Sequence, residues 1–141
     1  MAHSRHALLP FLSWLFIHGA ALAQEAGEAK AHPQAKLETA IPAAIKVLEN
    51  KDYVLFLKTF AGKDDRKFIM ENGGFESFAM EWGESKAGIL LNVLKSIQDQ
   101  EPEMRKEGAE AVYKIPESVK SLGKKKVVVF ARVDNLWYLS D

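Results

Sequence analysis

The stretch Lys125–Ser140, KKVVVFARVDNLWYLS, decides how the chain folds. β-Branched and aromatic residues dominate it, and they are interrupted once, at Asp134-Asn135. That pair tolerates the positive φ that a two-residue hairpin turn requires. The pattern predicts strands over Lys125–Val133 and Leu136–Ser140. With that turn, Val133 faces Leu136, Arg132 faces Trp137, Ala131 faces Tyr138 and Phe130 faces Leu139. Side chains alternate across a sheet. Val127, Val129, Ala131, Val133, Leu136 and Tyr138 therefore share one face, and Val128, Phe130, Arg132, Trp137 and Leu139 the other. Both faces are largely apolar, whereas an antiparallel sheet with one wet face shows polar residues there. The second face needs a cover: helices and the loop of residues 117–123, a second copy of the chain, or a small-molecule ligand.

Upstream, Met104–Lys106 and Ala109–Ile115 read as another hairpin around Glu107-Gly108, ended by Pro116. Everything before it has helical periodicity. Leu37, Ile41, Ala44, Ile45 and Leu48 form one apolar face. Pro42 falls in the first turn if Thr39 is the N-cap, and kinks the helix if it starts earlier. Asp52 caps a second helix with Tyr53, Phe56, Leu57 and Phe60 on its face and Gly62 beyond its end. A short helix over Asp65–Glu71 stops at Asn72-Gly73-Gly74. Another covers Phe75–Trp82. Gly83 then reads as a break before a last helix, capped by Ser85, with Ala87, Leu90, Leu91, Leu94 and Ile97 as its stripe and Pro102 closing it. Helices first and strands last is the segregated order of an α+β domain, here N-terminal helices packed on an antiparallel sheet of about four strands.

The first 23 residues read as a secretory signal peptide. Arg5 supplies the positive start, Ala7–Ile17 the apolar run, and Ala21-Leu22-Ala23 the small-x-small cleavage pattern, so the mature chain is expected to begin at Gln24 in the periplasm or outside the cell. The run is too short and too interrupted for a membrane span, and no membrane association is expected after cleavage. Residues 24–35 lack large apolar side chains and read as a flexible tether, leaving 36–141 as the α+β domain.

Composition then closes several routes to catalysis. The chain has no cysteine, which excludes thiol chemistry and Cys-ligated metals. Of its 4 histidines, His3, His6 and His18 lie in the leader, and His32 lies in the expected tether. Ser77, Ser85 and Ser96 have no histidine partner. Asp64-Asp65 reads as helix-start charge rather than a metal site, and Glu81 and Glu84 as solvated charges. No cofactor or metal site is predicted. Lys+Arg and Asp+Glu both number 19, so no net charge favours nucleic acid, which is not an expected partner. Lys124-Lys125-Lys126 precedes the most β-prone segment and reads as a gatekeeper against edge-to-edge aggregation. Arg132 opposite Trp137 makes a cross-strand cation–π pair. Tyr113, Arg132, Trp137 and Tyr138 are the candidate binding residues, the walls of a ligand site on the sheet.

Ala43–Tyr53 (AAIKVLENKDY), followed by Phe56 and Phe60, resembles the opening helices of nuclear transport factor 2-like domains. Val127–Leu139 is similar to their terminal hairpin. The resemblance covers roughly residues 37–62 and 109–139 and is nearest to short secreted bacterial members of unknown function. It departs at Asn135, where Gly is usual, and at Leu136, where Lys is usual. The resemblance implies a cone of curved sheet around a helix, often dimeric and often with a pocket, and implies no single activity. Together these features point to a non-enzymatic binding or interaction module that self-associates through its sheet, with a homodimer partner or a small-molecule ligand. The other reading is a cone-type enzyme working through carboxylates and tyrosines in its cavity.

Overall fold

A computed structural model describes residues 31–140. The expected export signal, residues 1–23, and residues 24–30 of the expected tether lie outside the described residues. The compact unit begins at Pro33, so it takes in the last three residues of what the sequence presents as tether. Its elements are a 3-10 turn at Pro33–Ala35, helices α1 (Leu37–Glu49), α2 (Tyr53–Phe60), α3 (Lys63–Glu71) and α4 (Phe75–Trp82), a π-turn (Gly83–Ala87), α5 (Gly88–Ile97), and strands β1 (Glu103–Arg105), β2 (Glu110–Lys114), β3 (Val127–Val133) and β4 (Leu136–Ser140), with a second 3-10 turn, Lys106–Gly108, between β1 and β2. The strands form one antiparallel sheet in the order β1-β2-β3-β4. This is the expected α+β arrangement, with N-terminal helices and a C-terminal sheet.

The terminal hairpin has the register read from its sequence, from Val133↔Leu136 to Phe130↔Leu139. Both turn residues take positive φ, 52° at Asp134 and 65° at Asn135, the backbone that lets a two-residue turn follow the twist of its strands. The helices pack on one face, where Ala111, Tyr113, Val128, Phe130 and Trp137 are buried together with Ala40, Ala44, Phe56, Leu94 and Ile97. On the other face Val112 is also buried, Val127, Val129, Ala131, Leu136 and Tyr138 are half-buried, and Val133 is exposed. Arg66 of α3 reaches over the Tyr138 ring at 5.1 Å.

Both edges of the sheet are blunted. In a two-residue hairpin the backbone groups of alternate residues point away from the partner strand. On β4 these belong to Trp137 and Leu139. Gln34, 2% exposed, donates from Nε2 to the carbonyl of Trp137 at 2.9 Å and to that of Thr59 at 2.9 Å. Ala61 forms an isolated parallel bridge with Leu139. The opposite edge, β1, is three residues long and carries the exposed pair Arg105–Glu103. Short charged edges and covered edges both resist strand addition. The expected tether is corrected at its end: a buried polar side chain satisfying two carbonyls fixes the Pro33–Ala35 turn, and no apolar residue is needed for that.

One local alternative is decided and two local expectations are corrected. Of the two starts the sequence allows, helix α1 takes the earlier, at Leu37, so Pro42 sits in its second turn. Its missing N–H would have met the carbonyl of Glu38; both residues are exposed, so one bond is lost on the wet side of the helix. The Thr39 hydroxyl instead donates to the carbonyls of Pro33 and Lys36. Gly83 is not a break. The chain runs from α4 through the π-turn into α5 without leaving helical φ/ψ. Ser85 caps nothing; its hydroxyl donates back to the carbonyl of Glu81 at 2.9 Å. Asp52 does cap α2, accepting from the Leu55 N–H at 3.2 Å.

What Gly83 provides is room. A Cβ there would lie 2.3 Å from Cδ2 of Tyr53. Against it stands a layer of aromatic rings: Tyr53 edge-on to Trp82 at 6.1 Å, Trp82 stacked on Phe56 at 5.4 Å, and Phe56 stacked on Phe60 at 5.4 Å. An unopposed Gly→Ala change in a helix interior gains roughly 1 kcal/mol, but forcing an extra carbon into a packed site costs about 1–3 kcal/mol. Gly83→Ala is therefore expected to lower stability by up to about 2 kcal/mol, seen as a lower urea midpoint. In a Tyr53→Ala background the same change should raise the midpoint. A stabilised single variant would show that the ring does not occupy this space.

Candidate ligand cavity

Helix α3 is the least apolar of the helices and buries only Ile69. It lies beside the sheet without sealing onto it. Between α2, α3, the α4–α5 rod, the starts of β3 and the loop after β2 remains a cavity of about 630 Å³. That is within the roughly 300–1,000 Å³ of small-molecule sites. Its floor is buried and apolar: Phe56 and Leu57 from α2, Ile69 from α3, Leu90 and Val93 from α5, Ile115 and Val128 from the sheet side. Phe78, Trp82, Leu122 and Leu139 are half-buried lining residues. The exposed lining residues mark the mouth: Phe68, 55% exposed, with Lys86, Gly123, Lys124 and Lys125.

The wall contributed by the α4–α5 rod depends on the π-turn. Phe78, Trp82, Lys86 and Leu90 all line the cavity at four-residue spacing. Along a straight α-helix with 3.6 residues per turn, each such step drifts by about 40°. The wider π-turn between Trp82 and Gly88 takes up this drift, and π-turns are often found at functional sites.

None of the four sequence-predicted binding residues lines this cavity. Arg132 and Trp137 do meet as a cation–π pair, 5.7 Å from guanidinium to ring, across a pair of residues where side chains approach closely. Arg132 is exposed and Trp137 is 5% exposed, so the pair lies at the rim of the core. Tyr113 is in the core, edge-on to Phe130 at 6.0 Å. Tyr138 is on the opposite face under Arg66. The structure joins two of the four and disperses the others. The residues missed are those of the cavity, Lys86, Leu122, Lys124 and Lys125 among them. The lysine run was the one available signal, and its position before a strand has an equally good explanation as gatekeeping.

The chemical groups at the cavity are few. Asp65 is the one carboxylate among the described lining residues, and Ser140 the one hydroxyl-bearing residue. Asp64 and Asp65 lie in the first turn of α3, where negative charge suits the helix dipole. Among the described residues no group of three or more His, Asp or Glu is placed to hold a metal ion, and no helix is long and apolar enough to cross a membrane. Compared with protein-family models, curated proteins and solved structures, the chain matches none.

Burial pushes the Tyr113 phenol up from its ordinary value, and the negative charge of Glu38 adds to the shift. The folded chain thus holds this proton more tightly than the unfolded chain does. Stability tied to it is complete below about pH 10 and is lost as pH rises through the folded value. Urea unfolding at pH 8 and at pH 11 should show the wild type losing more stability than Tyr113→Phe. Equal losses would mean that the phenol is in contact with water.

Proposed function

We propose that this chain is an exported, non-enzymatic binding module that takes an apolar small molecule into the cavity between its helices and its sheet. The observation that carries this is the cavity's graded lining, from a buried apolar floor to an exposed mouth. Burying an apolar ligand there would contribute roughly 25 cal/mol for each Å² removed from water, without any directional contact. The export signal and the kinship with nuclear transport factor 2-like domains belong to the same proposal. The helix pair α1–α2 and the β3–β4 hairpin are the segments that carry that resemblance, and a pocket is among the features it implies. The alternative, a cone-type enzyme acting through carboxylates and tyrosines, has less support. Tyr113 and Tyr138 stand away from the cavity, and a buried phenol with a raised pKa is a poor base at neutral pH.

The neutral fluorescent probe N-phenyl-1-naphthylamine tests the binding role. Saturable uptake of one probe per chain is expected, weakened about tenfold or more by Leu122→Trp, a loss of about 1.4 kcal/mol. An unchanged urea midpoint would show that the variant is folded. No saturable uptake by the wild type would defeat the proposal.

A homodimer is the second element. The apolar outer face of the sheet favours it, with Val133 48% exposed at its end. Since both edges are blunted, a second copy would meet that face rather than extend the sheet. Light scattering on the purified chain should give a dimer mass that Val133→Lys lowers toward the monomer. A monomer at all concentrations would remove this element.

A further inference from the structure

We infer that the occupant of the cavity is a single-chain amphiphile with an anionic head, a fatty carboxylate, its tail on the apolar floor and its head among Lys86, Lys124 and Lys125; this rests on the binding role proposed above. The floor selects the tail. Phe56, Val93 and Val128 are buried and offer no polar atom from their side chains, so a charged or strongly polar group there would lose its hydration without compensation. The mouth selects the head. Three exposed lysines line it against one carboxylate, Asp65. None of the three lysines makes an ion pair with any described residue, whereas Lys95 and Lys106 both do. The three come from two separate segments, the π-turn and the loop before β3, so one local run of basic sequence does not account for them.

Lysine suits this position. Its aliphatic stem extends an apolar wall while its ammonium stays in water. A cationic head would be repelled, and a neutral head would leave the three ammoniums without a partner. Gatekeeping of β3 explains Lys124 and Lys125 equally well but gives no reason for Lys86 to share their rim.

Calorimetric titration of the purified chain with dodecanoate, dodecanol and dodecyltrimethylammonium, each below its aggregation limit, tests the inference. Dodecanoate should bind most tightly and dodecyltrimethylammonium least. Lengthening decanoate towards dodecanoate should tighten binding by about fourfold per methylene. Lys124→Gln combined with Lys125→Gln should weaken dodecanoate about fivefold, weaken dodecanol much less and leave the urea midpoint unchanged. Added salt should act in the same direction as the double variant. Dodecanol binding as tightly as dodecanoate, or a double variant with unaltered dodecanoate affinity, would overturn the head assignment while naphthylamine uptake still upheld the cavity's binding role. Failure of every one of these ligands together with the naphthylamine would overturn both.

Discussion

The close approach of Tyr53 to Gly83 is the constraint from which the rest of the helical layer follows. With no Cβ at Gly83, α2 can seat its aromatic face directly on the α4–α5 rod. Trp82 then stacks on Phe56, and Phe56 on Phe60, so one run of rings spans the junction. Stacked and edge-on pairs of this kind contribute about 0.5–1.5 kcal/mol each beyond their buried area. They also set where the cavity can be. Phe56 and Trp82 belong both to the ring layer and to the cavity wall, so the wall is held rigid from behind by the packing that joins the helices.

The sheet is tied to this layer along one edge of β4. Gln34 bonds the end of α2 and the middle of β4 at once, and Ala61 meets Leu139 just beyond. The outward backbone groups of the hairpin's last strand are thereby used for attachment, which also removes them as a template for another chain. What is left for intermolecular contact is a face and a cavity mouth, two surfaces with different chemistry. The outer face is apolar with Val133 at its end, and the mouth is apolar with a cationic rim.

Local features were legible in the sequence to the extent that local chemistry decides them. The hairpin register follows from the positive-φ tolerance of Asp134-Asn135 and the alternation on either side. The cap at Asp52, the stop at Asn72-Gly73-Gly74 and the bounds of α4 follow in the same way. Gly83 reads as a break because glycine carries one meaning for the local chain and another for a distant ring. Gln34 reads as tether because its partners lie 25 and 103 positions away. The Arg132–Trp137 pair is legible, since strand alternation alone brings the two together. The cavity has no sequence signature, because it is the space that α2, α3, α5 and the β3 loop fail to fill. Its lysines come from segments that only the fold makes neighbours.

The π-turn makes the segment between Trp82 and Gly88 a place where the length of the chain can change without disturbing the core. Glu84, Ser85 and Lys86 are exposed, so most substitutions there would pass unnoticed by the buried side chains. A π-turn holds one residue more than the α-turn it replaces. With one of these three removed, the rod would close into continuous α-helix and α5 would keep nearly its orientation relative to α4, so Leu90, Val93, Leu94 and Ile97 would stay where they are. A relative one residue shorter there can therefore share this core, and would differ at the cavity rim, where Lys86 stands.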